Sequence, residues 1–313
     1  MADYVQKYSD AQAEEFAKRI EKVYAQAAKE VKQKMKAFEE AHKKRDAKMQ
    51  QQVKDGTITK AQYQQWMAGQ VFQGEQWKRR VEDITDVYVN ADAKAREILG
   101  GTTKNVFAEA ANYTAYDIEK NVKGAIAFNT YDRKTVERMI KDNPQILPEW
   151  EINEKKDYEW NYERVNNAVT QGIIQGDSVY DIGKRLTVDL SAKNASKMDM
   201  FARTAITGAQ NAGRVERLKE VKDMGVHVKK KWLVVHDNRV RDAHADLDGV
   251  EAEVDESFHN EFGDIDYPGD PSADPANVYN CRCSLIYVYP KYEQKETHHF
   301  ESYAEWKERN KNP

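Results

Sequence analysis

Between residues 11 and 51, apolar side chains recur at steps of three and four: Phe16, Ile20, Val23, Ala27, Val31, Met35 and Phe38. That period places them on one face of an α-helix of about eleven turns. A stripe of this length has to be covered by another element. Glu and Lys fill positions between at helical neighbour spacing, as in Glu14 with Lys18 and Glu40 with Lys44. The composition agrees with helices laid on helices: 33 % of residues are charged and the mean hydropathy is -0.90, yet Pro numbers only 7 and Gly 15. Surplus charge with few breakers describes solvated helix faces rather than a disordered chain. No run of about 18 apolar residues exists, which excludes a membrane-spanning helix. The opening, MADYVQKYSDAQ, has no apolar segment of the kind a secretory leader needs. Two cysteines cannot make a disulfide framework.

Breaks divide the helical part. Asp55-Gly56-Thr57 interrupts the first stripe, and Thr59-Lys60-Ala61-Gln62 reads as a new N-cap and first turn. A second helix passes through Trp66. A third carries Val81, Ile84, Tyr88, Ala91, Ala95 and Ile98, and Gly100-Gly101 is expected to end it. A separate helix is then expected over 102–121, with Val106, Tyr113 and Ile118, and a shorter one over 134–141 closed by Asp142-Asn143-Pro144. The stretch 143–153 reads as a connection. Helical patterns follow over 156–174, ending at Gly176, and over 179–186, with Asp177-Ser178 as a cap. Ser191 is expected to cap a long helix bearing Met198, Phe201, Ala205, Ala209 and Ala212, stopped by Gly225.

Beyond Gly225 the period shortens. Val226-His227-Val228 can open a strand, and 231–235 (KWLVV) is a better one by its β-branched and aromatic content. Val250-Ala252-Val254 alternates with Glu251, Glu253 and Asp255 as a half-exposed strand does. Residues 264–275 form a loop dense in Asp, Pro and Gly, 282–289 form the last strand, and a short helix is expected near 303–308. The fold class is therefore α+β: a long helical N-terminal region followed by a compact C-terminal α+β domain with a small sheet. The chain divides as a helical, elongated interaction region over 1–150, a domain of helices and small sheet over 151–290, and a charged tail over 291–313. Charge divides too, with 8 Lys+Arg against 18 Asp+Glu over 232–313 and 41 against 35 over 1–231. Two regions with different surfaces are expected, and only the first suits an acidic partner such as DNA.

The specific signals lie between 203 and 289. They run from Arg203, Thr204 and Asn211 on one helix, through Trp232, to Asp237, Arg239, Val240, Arg241 and His244, closing at Asp248-Gly249. Phe258 follows, then Pro268-Gly269-Asp270-Pro271 and Asn280-Cys281-Arg282-Cys283. In this order the segments resemble the phage Mu F-like minor head proteins, the phage head morphogenesis family. The match covers roughly the last third of the chain. The resemblance implies a minor capsid protein of a tailed bacteriophage, held in the virion head interior near the portal after passing through the host cytoplasm. Its implied partners are the portal protein and major capsid or scaffold proteins, and its implied work is head assembly and genome packaging or ejection. Family positions carried over are Arg203, Trp232, Asp237, Arg239, Arg241, His244, Gly249, Pro268, Asp270, Asn280, Cys281 and Cys283.

The residue types allow further readings. His236, His244, Cys281 and Cys283 are the donor types of a tetrahedral zinc site, and cysteines two apart on a strand share a face. Two small buried thiols are the structural alternative. Asp237, Arg239, Arg241, His244, Asp248 and Arg282 suit a charge network pinning irregular loops. The same residues suit a metal-assisted hydrolase or nuclease, with His244 as general base, Asp237 as its carboxylate and Arg241 stabilising an oxyanion. Asp264, Asp266, Asp270 and Asp274 could meet a divalent cation, although a turn-rich surface loop explains them as well. Lys229-Lys230-Lys231 could touch phosphate or lie solvated. Asn112-Tyr113-Thr114 and Asn194-Ala195-Ser196 are sequons in spelling only.

Overall fold

The computed structural model describes residues 4–72, 75–122, 127–147, 154–175, 179–289 and 300–311. The helices are α1 (Tyr4–Lys54), α2 (Lys60–Phe72), α3 (Glu75–Asn121), α4 (Arg133–Asp142), α5 (Glu154–Gln175), α6 (Val179–Lys184), α7 (Leu190–Asp223), α8 (Asp242–Ala245), α9 (Pro275–Val278) and α10 (Tyr303–Arg309). The strands are β1 (Lys229–Leu233), β2 (Glu251–Glu253), β3 (Phe258–Asn260), β4 (Gly263–Ile265) and β5 (Ser284–Val288). The fold is α+β. Its contacts define two compact units, one of residues 18–97 and 151–198, the other of 1–17, 98–150 and 199–313. Each unit thus draws on residues from both sides of position 150. The linker residues 148–153 and the Gly176, Asp177 and Ser178 signals fall outside the described residues, as does the side chain of Phe38.

The unit of 18–97 and 151–198 is helical. The buried stripe of α1 continues there through Ile20, Tyr24, Ala27, Val31 and Met35. Tyr24 takes the place expected of Val23 because its ring packs inward while its hydroxyl finds a buried partner, donating to Asp92 at 2.5 Å. Asp92 also accepts from Asn161 Nδ2 (2.9 Å), whose Oδ1 accepts from Asn194 Nδ2 (3.0 Å). This chain links α1, α3, α5 and α7 through direct hydrogen bonds between buried side chains, which lets a polar cluster be tolerated in a core. Burial raises the Asp92 carboxyl pKa, partly offset by the hydrogen bonds from Tyr24 and Asn161. Asn194 is 2 % exposed and committed to this chain, as Asn112 (1 %) is to Tyr131 in the other unit, so neither sequon presents a modifiable side chain.

Two expected helix boundaries are absent. Gly100 and Gly101 do not end the third helix; α3 runs through them. Glycine in a helix interior costs about 1 kcal/mol each. Just beyond, Val106 and Phe107 are fully buried, and full burial of such side chains is worth about 1.5–3 kcal/mol apiece. Packing therefore outweighs propensity. Ser191 likewise caps nothing: it lies inside α7, its Oγ 2.9 Å from the Tyr88 hydroxyl, which donates to the Leu186 carbonyl at 2.6 Å. The backbone stays helical from α6 into α7 through a π turn at Arg185–Asp189, where Thr187 Oγ1 donates to the Gly183 carbonyl.

In the other unit the later part of α3 and the body of α7 cross closely. A Cβ on Gly213 would stand 2.3 Å from the Phe107 carbonyl oxygen, so only glycine permits the approach. The strands form an antiparallel sheet in the order β2-β1-β5, with Lys231 opposite Glu251 and Ile286, and Trp232 opposite Leu285. Val226 and Val228 make no strand; they are buried in the apolar cluster instead, with Ile118, Phe128, Leu218, Val221, Val254 and Trp306. A hairpin, β3–β4, that was not expected precedes the acidic loop, its second strand ending at Ile265 inside the stretch read as loop.

The last helix completes this cluster. Ser302 and Glu305 form a reciprocal capping box at the start of α10. Trp306 is fully buried and its Nε1 donates to Glu119 at 2.7 Å. The charge expected of a tail is the outer face of a packed helix, with Arg309 paired to Glu119 (2.7 Å) and Glu301 (2.5 Å). Replacing a buried tryptophan by alanine costs about 3–5 kcal/mol. Trp306→Ala should lower unfolding free energy in denaturant titration by that amount, whereas Lys311→Ala should change it by less than about 0.5 kcal/mol.

Candidate metal centre

Helix α7 organises the site. The Asn211 carboxamide donates to the Thr207 carbonyl of its own helix and the Pro268 carbonyl, each at 3.0 Å, and accepts from the Leu285 N–H at 3.0 Å. The loop of Pro268-Gly269-Asp270-Pro271 approaches so closely that a Cβ on Gly208 would lie 2.5 Å from the Gly269 carbonyl oxygen. Gly269 itself has φ +81, a backbone state that side chains disfavour. Asp270 fixes the loop internally, accepting from the N–H groups of Asp266 (3.1 Å) and Ser272 (2.9 Å). Two turns before Asn211, Thr204 Oγ1 accepts from the Asn280 N–H at 3.1 Å, where Asn280 holds a left-handed φ of 59. The motif residues thus set the path of the chain into Cys281, Arg282 and Cys283.

At the end of that path three donors converge. His244, on α8, is 2 % exposed; Cys281 and Cys283 are 3 % and 5 % exposed. His244 Nδ1 lies 3.7 Å from Cys281 Sγ and 3.5 Å from Cys283 Sγ, and all three donor atoms fall within 4.8 Å of one another. The two thiols share a hydrogen bond that lowers the Cys281 pKa and raises that of Cys283, so Cys281 is the more acidic. The His244 ring packs edge-on to Trp232, with centroids 5.4 Å apart. Its Nε2 is buried with no hydrogen-bond partner among the described residues. A cavity of about 100 Å³ adjoins the cluster, lined by His244, both cysteines, Asn280 and the side of Arg239, Arg241 and Arg282.

The remaining candidates stand apart from this cluster. His236 is exposed, 3.6 Å from Asp248, and does not join the three donors. Asp237 pairs with Arg282 through two bonds of 2.5 and 2.8 Å. That pairing pulls the Asp237 carboxyl down to about 2. Arg241 caps the Tyr279 carbonyl, and Asp248 accepts from the Val234 N–H (3.1 Å). Arg203 pairs with Asp199 on its own helix. Gly249 and Trp232 extend the sheet, the Gly249 N–H donating to the Trp232 carbonyl at 2.9 Å. His244, Arg241 and Asp237 therefore each have a separate partner, and the hydrogen-bond partners of His244 are thiols.

The basic run is absorbed into β1. Lys229 pairs with Glu253 (3.1 Å) and Lys231 with Glu251 (3.2 Å), both across the ladder. Lys230, on the opposite face, is 1 % exposed and donates to the Asp266 carbonyl at 2.9 Å. In the acidic loop Asp264 meets His259 (2.6 Å), Asp266 accepts from Ser257 (2.6 Å) and Asp274 caps α9. Buried Arg214 and Arg217 were not singled out by motif. Arg214 reaches the Leu285 carbonyl and Ser284 (3.0 Å); Arg217 reaches the Asn129 carbonyl (3.1 Å) and stacks on Tyr131 at 4.0 Å. Their signal was spacing: Asn211, Arg214 and Arg217 follow one another at three-residue steps on a face shared with small apolar residues.

These residues fall in a recognisable region. Residues 163–286 match the family described as Phage Mu protein F like protein. Over that stretch, about two fifths of its length, the chain is similar to the Mu F-like family. It is 25 % identical to the minor head protein GP7 of Bacillus phage SPP1 over 289 residues, 90 % of this chain and 85 % of that one. It is also 32 % identical, over 156 residues, to a protein of Enterococcus faecalis named NAD(+)--arginine ADP-ribosyltransferase EFV, covering 46 % of this chain but 31 % of that protein. An uncharacterized Haemophilus influenzae protein is 32 % identical over 132 residues, covering 42 % of this chain and 26 % of its own length. The chain thus spans less than a third of the last two relatives. No solved structure matches it.

Two consequences are measurable. Burial pulls Lys230 down to about 8 from an ordinary 10.5. A depressed folded pKa means that the stability it withholds at neutral pH returns as pH rises from about 8 towards 10.5. In denaturant titrations the wild type should gain about 2 kcal/mol relative to Lys230→Met between about pH 7 and about pH 9.5. An unchanged difference would show that Lys230 titrates normally. Asn211→Ala leaves the Leu285 N–H and the Pro268 carbonyl without this partner, and should destabilise by about 2–4 kcal/mol. Gly208→Ala should do so comparably through its clash with backbone.

Proposed function

We propose that the chain is a minor head protein of a tailed bacteriophage, resident in the virion head close to the portal and acting in head assembly and in genome packaging or ejection. The observation that carries this reading is the likeness to the SPP1 minor head protein, which spans nearly the full length of both chains rather than the Mu F-like region alone. Helical and sheet-bearing parts are therefore shared together. Among the described residues no helix is long and apolar enough to cross a membrane.

Portal association falls to the long amphipathic helices of residues 1–150, proposed as the interaction region, with the motif-bearing 151–290 as the folded Mu F-like domain. Major capsid or scaffold proteins are the other proposed partners. Mass spectrometry of purified virions of the phage or prophage encoding this chain should find it at a few copies per particle, and cross-linking should join it to the portal protein. Absence from virions would remove the reading. Presence without portal cross-links would remove only the portal assignment. Contact with DNA has weaker support, since the lysine run is occupied by Glu251, Glu253 and Asp266.

A further inference from the structure

We propose that His244 Nδ1, Cys281 Sγ and Cys283 Sγ hold one Zn²⁺ ion, with a water molecule from the adjoining cavity as the fourth ligand. A tetrahedral zinc ion bonds thiolate sulfur at about 2.3 Å and imidazole nitrogen at about 2.0–2.1 Å, which sets nitrogen and sulfur about 3.5–3.6 Å apart. The observed Nδ1 to Sγ separations of 3.5 and 3.7 Å are edges of that tetrahedron. Imidazole with two thiolates is the soft donor set that selects zinc over magnesium or calcium. Both cysteines are free, and they flank Arg282 in the segment that Asn280 and Thr204 fix in place.

Charge supports the same assignment. Binding releases the two thiol protons to solvent, and Zn²⁺ with two thiolates and a neutral imidazole sums to zero, so the buried site carries no net charge. With Nδ1 on the metal, the ring proton sits on Nε2, which fixes the tautomer. His236 is excluded as the fourth ligand by its exposure and its separate partner, Asp248. The fourth direction is left to the cavity beside Arg239, Arg241 and Arg282. The ion joins α8 to the residues entering β5 and leaves one coordination position open to the cavity. The proposal stands independently of the head-protein reading.

Elemental analysis of the full chain, purified from zinc-supplemented medium and dialysed, tests this. One zinc per chain is expected, retained in His236→Ala and lost in Cys281→Ala and Cys283→Ala. Should those variants fail to fold, wild-type protein stripped of metal and loaded with Co²⁺ should show thiolate-to-cobalt charge-transfer absorption and the intense visible bands of a tetrahedral ion. Wild-type protein without zinc above background, a cobalt spectrum lacking the thiolate bands, or a Cys281–Cys283 disulfide in the purified chain would each overturn the proposal. Zinc loss in a folded His236→Ala would overturn the water ligand.

Discussion

One carboxamide, that of Asn211, bonds at once to its own helix, to the loop at Pro268 and to the backbone of β5. Three segments far apart in sequence meet there with every polar atom satisfied, and the glycine pair Gly208 and Gly269 makes the meeting possible by bringing backbone against backbone. The rest of the sheet-bearing unit follows from that contact. With β5 placed, β1 can pair beside it and carry Trp232 inward; with the loop placed, Asp266 can offer its carbonyl to Lys230. The converging donors of His244, Cys281 and Cys283 lie at the entry to the same strand. Without α7 as a template, strands this short would have too few ladder bonds to persist.

The polar cluster of Tyr24, Asp92, Asn161 and Asn194 plays a comparable part in the helical unit. Apolar stripes on long helices fix register less sharply than polar groups do, because apolar contact is not directional. A carboxylate buried opposite a tyrosine hydroxyl and an amide tolerates no shift, since each displaced group would lose its hydrogen bond in a place water does not reach. The stripe supplies the driving force and the polar chain supplies the register.

How much of this was legible in the sequence follows from the kind of signal involved. The stripe of α1, the breaker at Gly56, the stop at Gly225 and the short helix near 303–308 are local, and local pattern located them. Gly100-Gly101 was misleading because a helix end is a competition, and the burial of Val106 and Phe107 that decides it is tertiary. The hairpin β3–β4 escaped because Phe258–Asn260 and Gly263–Ile265 each hold one large apolar residue and so show no alternation, unlike the letters around β2. For the site, residue types indicated His244, Cys281 and Cys283 together, whereas His236 looked equivalent until its exposure was known. Arg214, Arg217 and Lys230 were illegible as buried groups, since nothing in a charged letter says that its partner is a backbone carbonyl.

The charge asymmetry along the chain changes meaning for the same reason. Residues 232–313 are acidic as a segment, but within the sheet-bearing unit Lys222 pairs with Asp255, Lys229 with Glu253 and Lys231 with Glu251, while Lys307 reaches back to Glu109 and Arg309 to Glu119. Pairs run in both directions between the early and late parts of the sequence. Exposed pairs of this kind add little stability each, about 0–1 kcal/mol, and each neutralises charge only locally. Counted over residues 1–17, 98–150 and 199–313, with 24 Lys+Arg against 33 Asp+Glu, the unit keeps a net charge of -9. A net charge of that size acts over the whole surface, whereas the pairs fix only local geometry, so the acidic balance of the late segment survives folding as a property of the unit.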